Sequence, residues 1–266
     1  MKKILKKLSI ILQIKKEVIN WHIPILHYFG LRKKEDVIEF KDKMKCIVRN
    51  KSDAIAFFEV FFLKTNNILE KFDINSHDIV VDIGAHVGYF SIYSASRNKD
   101  GKIYSFEPYI ESFKILEKNL KINNITNVVP INLGVSKNTG NRDLYLQDNF
   151  AIGNSIYGER NSKSKIQIKT ISLRDIINEY KITKIDFLKL DCEGSEYEIL
   201  LNLDEISLDK IERIVAEMHP NIEDYKINDV IDFLNAHKFD VKIIKPTQND
   251  SELVMLYAIR EKSNKQ

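Results

Sequence analysis

Short unbroken apolar runs alternate along most of this chain with stretches whose apolar residues recur every three or four positions. Ile79-Val80-Val81 is such a run, and the stretch from Tyr89 to Tyr93 has helical spacing. An uninterrupted run belongs to a strand buried on both faces, as in a parallel sheet covered by helices above and below. The alternation then repeats. Lys102 to Pro108 predicts a second strand, and Ile110 to Asn123, with Ile110, Phe113, Leu116 and Leu120 in helical register, a second helix. Asn127 to Ser136 predicts a third strand, and Pro130 counts against a central position and favours the sheet edge or a strand start, because proline has no backbone N–H to donate. Leu173 to Tyr180 predicts a short helix. Ile185 to Asp191 predicts a fourth strand, Tyr197 to Leu203 a helix, and Ile211 to Met218 a fifth strand. Ile227, Val230, Ile231 and Leu234 mark a further helix.

Two segments break this rhythm. Between Gly140 and Thr170, Asp143 to Gln147 and Lys165 to Thr170 alternate with the period of strands, around a polar stretch from Asn149 to Ser164. An insertion that long is either a substrate lid or a solvent-exposed connection. The chain then closes with two strands, Val241 to Lys245 and Leu253 to Ala258, joined by a turn through Gln248-Asn249-Asp250.

The N-terminal part reads differently. On a helical wheel Ile4, Leu5, Leu8, Ile11 and Leu12 share a face, with most lysines opposite. Trp21 to Gly30 is aromatic and apolar. Val37 to Phe40 and Met44 to Val48 predict a small hairpin, and Ala54 to Leu69 a helix with Phe57, Phe58, Phe61 and Phe62 as a core stripe. No Gly/Ser/Pro-rich linker follows. The expected organisation is an N-terminal extension or cap over residues 1–70 and a catalytic domain over residues 71–262.

Composition narrows the classes. The 266 residues are 44% apolar, enough for a sizeable core and against global disorder. A net charge of +3 gives no ground for a nucleic-acid partner. The two cysteines, Cys46 and Cys192, are isolated and form neither a metal pair nor a disulfide framework, which fits a reducing cytoplasm. No run approaches the ~20 residues of a membrane span. The start resembles a signal peptide only superficially, since its apolar part is short and Lys15-Lys16-Glu17 interrupts it. Residues 1–16 carry six lysines and no acid. They read either as a helix lying on an anionic membrane surface or as a helix docked on its own domain with a solvated lysine face. The expected location is therefore cytoplasmic, with a peripheral membrane contact as the functional reading of that helix.

The chemistry concentrates where strands end. Asp82-Ile-Gly84-Ala85-His86-Val-Gly88-Tyr89 follows the first strand. Its glycines permit a tight turn and close backbone approach to a ligand. A dinucleotide fingerprint would need glycine where His86 and Tyr89 stand, and a phosphate loop would need a Gly-Lys-Ser/Thr ending. The turn instead resembles the first motif of class I S-adenosylmethionine (SAM) methyltransferases. Glu107, at the end of the next strand, is placed to accept both ribose hydroxyls.

More narrowly, four blocks resemble the FkbM family of SAM-dependent methyltransferases. They are Asp82 to Tyr89, Phe106-Glu107-Pro108, Ile185 to Glu196 with its Lys-x-Asp-x-Glu-Gly-x-Glu pattern, and Glu217-Met218-His219-Pro220. The third is the most specific, and the resemblance covers roughly residues 75–258. Thr170 to Asp175 is similar to a further family pattern, but Arg174 replaces its first acid, so no role is carried onto it. The resemblance implies an α/β, Rossmann-like class I methyltransferase fold: a seven-stranded, mostly parallel sheet with a C-terminal antiparallel hairpin, here with the helical and hairpin extension. It implies SAM as cofactor, with Asp82, Gly84, Ala85, Gly88, Tyr89, Glu107, Pro108, Gly134 and Asp191 around it. Its breadth implies a sugar, glycan or other small-molecule acceptor.

Methyl transfer to a hydroxyl needs alignment and a base. Asp191, Glu193 and His219 lie at strand ends, where such groups belong in open α/β sheets. His219 is the expected base by residue type, its ordinary pKa being near neutrality. His86 sits within the cofactor turn, and no catalytic role is expected of it. No acid-acid-Asn set is evident, so no metal is expected. Two other classes stay in view. A nicotinamide oxidoreductase would bind NADH tightly, and a non-enzymatic scaffold on this fold would function without SAM binding.

Overall fold

The structure is a computed structural model that describes residues 2–63, 69–146, 154–157, 164–219, 222, 225–245 and 253–261. Its centre is a seven-stranded sheet. The strands are β3 (Ile79–Ile83), β4 (Lys102–Phe106), β5 (Val128–Ile131), β9 (Phe187–Leu190), β10 (Arg213–Met218), β11 (Phe239–Ile244) and β12 (Val254–Arg260). Their order is β11-β12-β10-β9-β3-β4-β5. β12 enters between β10 and β11 and runs antiparallel to both; the other neighbouring pairs, β10 with β9, β9 with β3, β3 with β4 and β4 with β5, are parallel. This is the expected class I arrangement. The turn expected through Gln248-Asn249-Asp250 lies outside the described residues.

β5 is an edge strand, as Pro130 requires. The predicted third strand is, however, two strands. β5 stays in the central sheet, while β6 (Gly134–Val135) joins a second sheet with β7 (Gly140–Leu146) and β8 (Ser164–Ile171). Asn132 sits at the break and donates to the carbonyls of Glu107 and Pro108. The two alternating segments of the insertion are thus the antiparallel pair β7 and β8.

Successive residues of each central strand face opposite sides, and the core divides accordingly. Val80, Ile103, Phe187 and Val215 point to one side. Val81, Tyr104, Leu188 and Ile214 point to the other. The second side is covered by α6 (Leu173–Glu179), α7 (Glu196–Leu201) and α9 (Ile227–Ala236), through Leu173, Ile176, Ile199, Leu200, Val230 and Leu234. A short helix absent from the expectation, α8 (Glu205–Leu208), is capped by Asp204, which accepts from Ser207 N.

The first side is covered by α4 (Tyr89–Arg97), α5 (Ile110–Ile122) and the N-terminal segment. That segment holds α1 (Lys2–Glu17), α2 (His22–Tyr28), the hairpin β1 (Asp36–Glu39) and β2 (Lys45–Val48), and α3 (Lys51–Phe58). Ile14, Val18, Phe40, Phe57 and Phe61 share one core with Val80 and Phe187. At about 1.5–3 kcal/mol for each large side chain removed from water, this contact is a substantial part of the stability. Asn119 of α5 ties the layers together. Its amide accepts from Ile47 N at 2.8 Å and donates to the Val87 carbonyl at 2.8 Å.

The phenylalanine stripe is core, as its spacing suggested, with Phe57 packed against Phe40, Phe61 and Tyr89. Its helix is not regular. α3 stops at Phe58 and continues as a π-helical turn, Glu59–Leu63. Of the apolar face expected on α1, Leu12 is 67% exposed and Ile11 is half-buried, while the side chains of Ile4, Leu5 and Leu8 lie outside the described residues; Ile14, and Val18 just after the helix, are buried against the domain.

Candidate active site

The carboxyl ends of β3, β4, β9 and β10 open into a cavity of about 460 Å³. Of the residues expected in the site, Gly84, Glu107, Pro108, Gly134, Asp191, Glu193 and His219 line it. So do Ile55, Glu59, His86 and Glu217, none of which carried an expected role. The described parts of the 140–170 insertion form another wall, through Leu144, Asn154, Ile156 and Ile168. Ser155 Oγ donates to the Glu193 carbonyl, joining this wall to the loop after β9.

At the cofactor end, Gly84 has φ +79°. Its backbone crosses the end of β9 so closely that no side chain fits. Glu107 is buried and fixed at both oxygens, accepting from His86 N and Tyr109 N at 2.8 Å each. Burial pushes its carboxyl up to about 7, although those two amides pull the other way. Gly134 is less constrained, since a Cβ there would stand 2.9 Å from Ile168 Cδ1, the tip of a side chain that can turn aside.

Four residues expected at the cofactor lie outside the cavity lining. Asp82 is fully buried behind it, accepting from Ser91 Oγ at 2.7 Å and facing Lys189 Nζ at 3.2 Å. Ala85 is buried in the core. Gly88 caps α4 with φ +84°, and a Cβ there would meet Leu116 of α5 at 2.9 Å. The Tyr89 hydroxyl donates to the Ile47 carbonyl at 2.6 Å, toward the cap. The motif therefore combines residues that line the cavity with residues that hold the turn.

Lys189 crosslinks the strand ends. Its ammonium lies 3.2 Å from Asp82, 3.4 Å from Asp191 and 3.2 Å from the Gly84 carbonyl, to which it donates. Burial opposes its charge, yet the Asp82 carboxylate, ahead of that of Asp191, carries its pKa above the ordinary lysine value. His86 takes a left-handed backbone, φ 50°, in this same turn. Both its ring nitrogens are buried without a hydrogen-bond partner, and Nε2 is 3.5 Å from Asp53. Burial lowers its pKa and keeps the ring neutral.

The other end of the cavity is acidic. Glu59 enters from the π-helical turn, Asp191 and Glu193 from the end of β9, and Glu217 from β10. Burial, then Asp191 and Glu193, push the Glu59 carboxyl up to about 7. Burial, then Asp191 and Glu59, raise that of Glu217 well above its ordinary value. His219 lies between two carboxylates, with Nδ1 3.2 Å from Glu196 and Nε2 3.2 Å from Glu193. Burial works against its charge, but Glu196, Glu193 and Glu217 push it up to about 11. Glu196 also accepts from Cys192 N and Gly194 N, so it holds the loop after β9 in shape.

Asp191, Glu217 and His219 offer ligand atoms within 4.8 Å of one another, a convergence the sequence did not disclose and a set that could hold a cation. Both His219 nitrogens already face carboxylates, so a metal there would first have to displace a proton.

These features suit SAM. The cavity has the size of a small-molecule site. Glu107 stands where a ribose would be recognised. The surplus of carboxylates suits a cofactor carrying a sulfonium and an ammonium.

The Methyltransferase FkbM domain matches residues 82–241. The chain belongs to the FkbM methyltransferase family. FkbM enzymes are SAM-dependent methyltransferases, and SAM is accordingly the cofactor here. Methyltransferase sdnD of Sordaria araneosa is 24% identical over 206 residues, covering 66% of this chain and 79% of the relative. The hexuronic acid methyltransferase AglP of Haloferax volcanii is 23% identical, covering 66% of this chain and 70% of the relative. The 31-O-demethyl-FK506 methyltransferase FkbM of Streptomyces tacrolimicus is 23% identical, covering 72% and 84%. In the FkbM frame, Glu59 is the residue whose place was least legible. It lies before the matched region, within a stripe whose phenylalanines read only as core.

Proposed function

We propose that this FkbM enzyme methylates a hydroxyl oxygen on a sugar, glycan or related small molecule. The carboxylates at the β9 and β10 end of the cavity carry this reading, because they can orient hydroxyl donors and remove a proton. When bound, SAM supplies a methyl group on a positively charged sulfur. Glu107 would accept from its ribose hydroxyls, Gly84 would permit close approach, Pro108 and Gly134 would flank its adenine, and the buried neutral ring of His86 would lie toward its methionine end.

His219, the base expected by residue type, is already protonated near neutrality, so its proposed role is to position Glu193. Glu59 is better matched to the task. A carboxyl titrating at about 7 is ionised often enough to act and basic enough to take a hydroxyl proton as the oxygen attacks. Asp191 and Glu193 would hold the acceptor in line. The names of AglP and FkbM, one acting on a hexuronic acid and the other on an O-demethyl compound, support an oxygen acceptor.

The test is transfer of labelled methyl from SAM to a panel of sugars, uronic acids and hydroxylated small molecules. Glu59→Gln should lower kcat by about 10²–10⁴ while S-adenosylhomocysteine still binds. Wild-type kcat/KM should rise with pH through about 7, because the base must be deprotonated. Transfer to amines alone would refute the oxygen assignment, and an unchanged pH profile in Glu59→Gln would refute the base.

A further inference from the structure

We propose that the N-terminal cap docks on an anionic lipid surface, independently of which acceptor the cavity takes. Charge is segregated along the chain. Residues 1–34 contain nine Lys and Arg against one acid, Glu17, whereas the whole chain has 41 against 38. Residues 1–34 are thus strongly cationic and the remainder of the chain net acidic, so an anionic surface attracts this part of the cap and orients the protein.

Apolar exposure is segregated in the same place. Leu12, Ile19, Phe29 and Leu31 are each more than half exposed. Among the other described residues, Ile206 is the one large apolar side chain exposed to that degree. α1 docks on the domain through Ile14, with Val18 buried just after it. Leu12, two positions before Ile14, lies about 200° round the helix and faces away. Phe29 and Leu31 sit just after α2 and are followed by Arg32-Lys33-Lys34. Ile10, Ile11, Tyr28 and Phe29 also line an apolar groove of about 150 Å³ between α1 and α2.

Exposed apolar side chains interleaved with lysines are what an interface of acyl chains and anionic headgroups recognises. No helix among the described residues is long and apolar enough to cross a membrane, so the contact is peripheral. A nucleic acid would use the charge but leave Phe29 and Leu31 in water. A second copy of the chain would bring like charges together.

The experiment is co-flotation of the full chain with phosphatidylcholine vesicles and with phosphatidylcholine–phosphatidylglycerol vesicles, at low and high salt. S-adenosylhomocysteine binding reports that each variant is folded. The wild type should bind the anionic vesicles and be released by salt. Lys16→Ala and Lys33→Ala should each weaken binding about fivefold. Phe29→Ser with Leu31→Ser should weaken it at least about tenfold. Folded wild-type protein that floats with neither vesicle overturns the proposal. So does vesicle binding that Phe29→Ser with Leu31→Ser leaves unchanged, or self-association through these residues without vesicle binding.

Discussion

A Cβ built on Gly84 would stand 1.8 Å from the carbonyl oxygen of Asp191. The first glycine of the cofactor turn therefore lies against the segment that leaves the neighbouring strand, β9, and carries Asp191 and Glu193 of the candidate site. Two independent constraints meet at this position, the left-handed backbone and the absence of space.

Gly84→Ala should consequently be costly. The added methyl meets backbone, which cannot move aside without separating β3 from β9, and φ +79° strains any side chain. The expected loss is about 3 kcal/mol, with S-adenosylhomocysteine binding abolished. Urea denaturation and calorimetry measure both. A variant of native stability that binds normally would show that the two strand ends are not in contact.

Lys189→Met should destabilise the fold by about 3–5 kcal/mol, because it strands the fully buried Asp82 without its cation. The double variant Lys189→Met with Asp82→Asn should recover part of that loss. Equal stability of the single and double variants would mean that Asp82 does not depend on Lys189.

Glu107→Ala and Tyr89→Phe separate the ligand-facing from the scaffold residues of one motif. Glu107 lines the cavity, and its removal should weaken S-adenosylhomocysteine binding about 100-fold. Tyr89→Phe removes a hydrogen bond to Ile47 on the cap side, so it should cost about 1–3 kcal/mol of stability and leave affinity within about twofold. Calorimetric titration and thermal melts of both variants decide the matter. A large affinity loss in Tyr89→Phe would place its hydroxyl at the cofactor.

The ligand-free protein should lose stability as pH rises from about 5 to 9. Glu59 and Glu107 are each raised to about 7, so the folded state holds protons that the unfolded state has released. Their contribution is present below the ordinary glutamate range and fades by about 7. His219, raised to about 11, continues the trend, contributing most below the ordinary histidine value and less above it. Melts against pH should fall through both windows. Glu59→Gln should flatten the lower one and His219→Gln the upper. A melting temperature that rises from pH 5 to 9 would contradict the sign for all three groups.

Much of this was legible before any coordinates. Period and composition located the strands of the central sheet, Pro130 put β5 at the edge, and the glycines and acids after the strands pointed to the cavity. These signals are local, since a buried strand, a tight turn or an edge proline leaves its mark within a few residues. The division of β5 from β6 was not legible, because the break depends on Asn132 bonding the loop after β4.

What the sequence determined by itself was the class of fold, the family, the cofactor and the neighbourhood of the site, all written in short motifs at strand ends. Tertiary structure alone decided which motif residues line the cavity. Asp82, Gly88 and Tyr89 turn to Lys189, Leu116 and Ile47, partners 28 to 107 positions away. It also decided the protonation of the site. The environment of Glu59 and of His219 is made by acids from other elements, and only packing brings those charges within reach of each other in a low-dielectric interior.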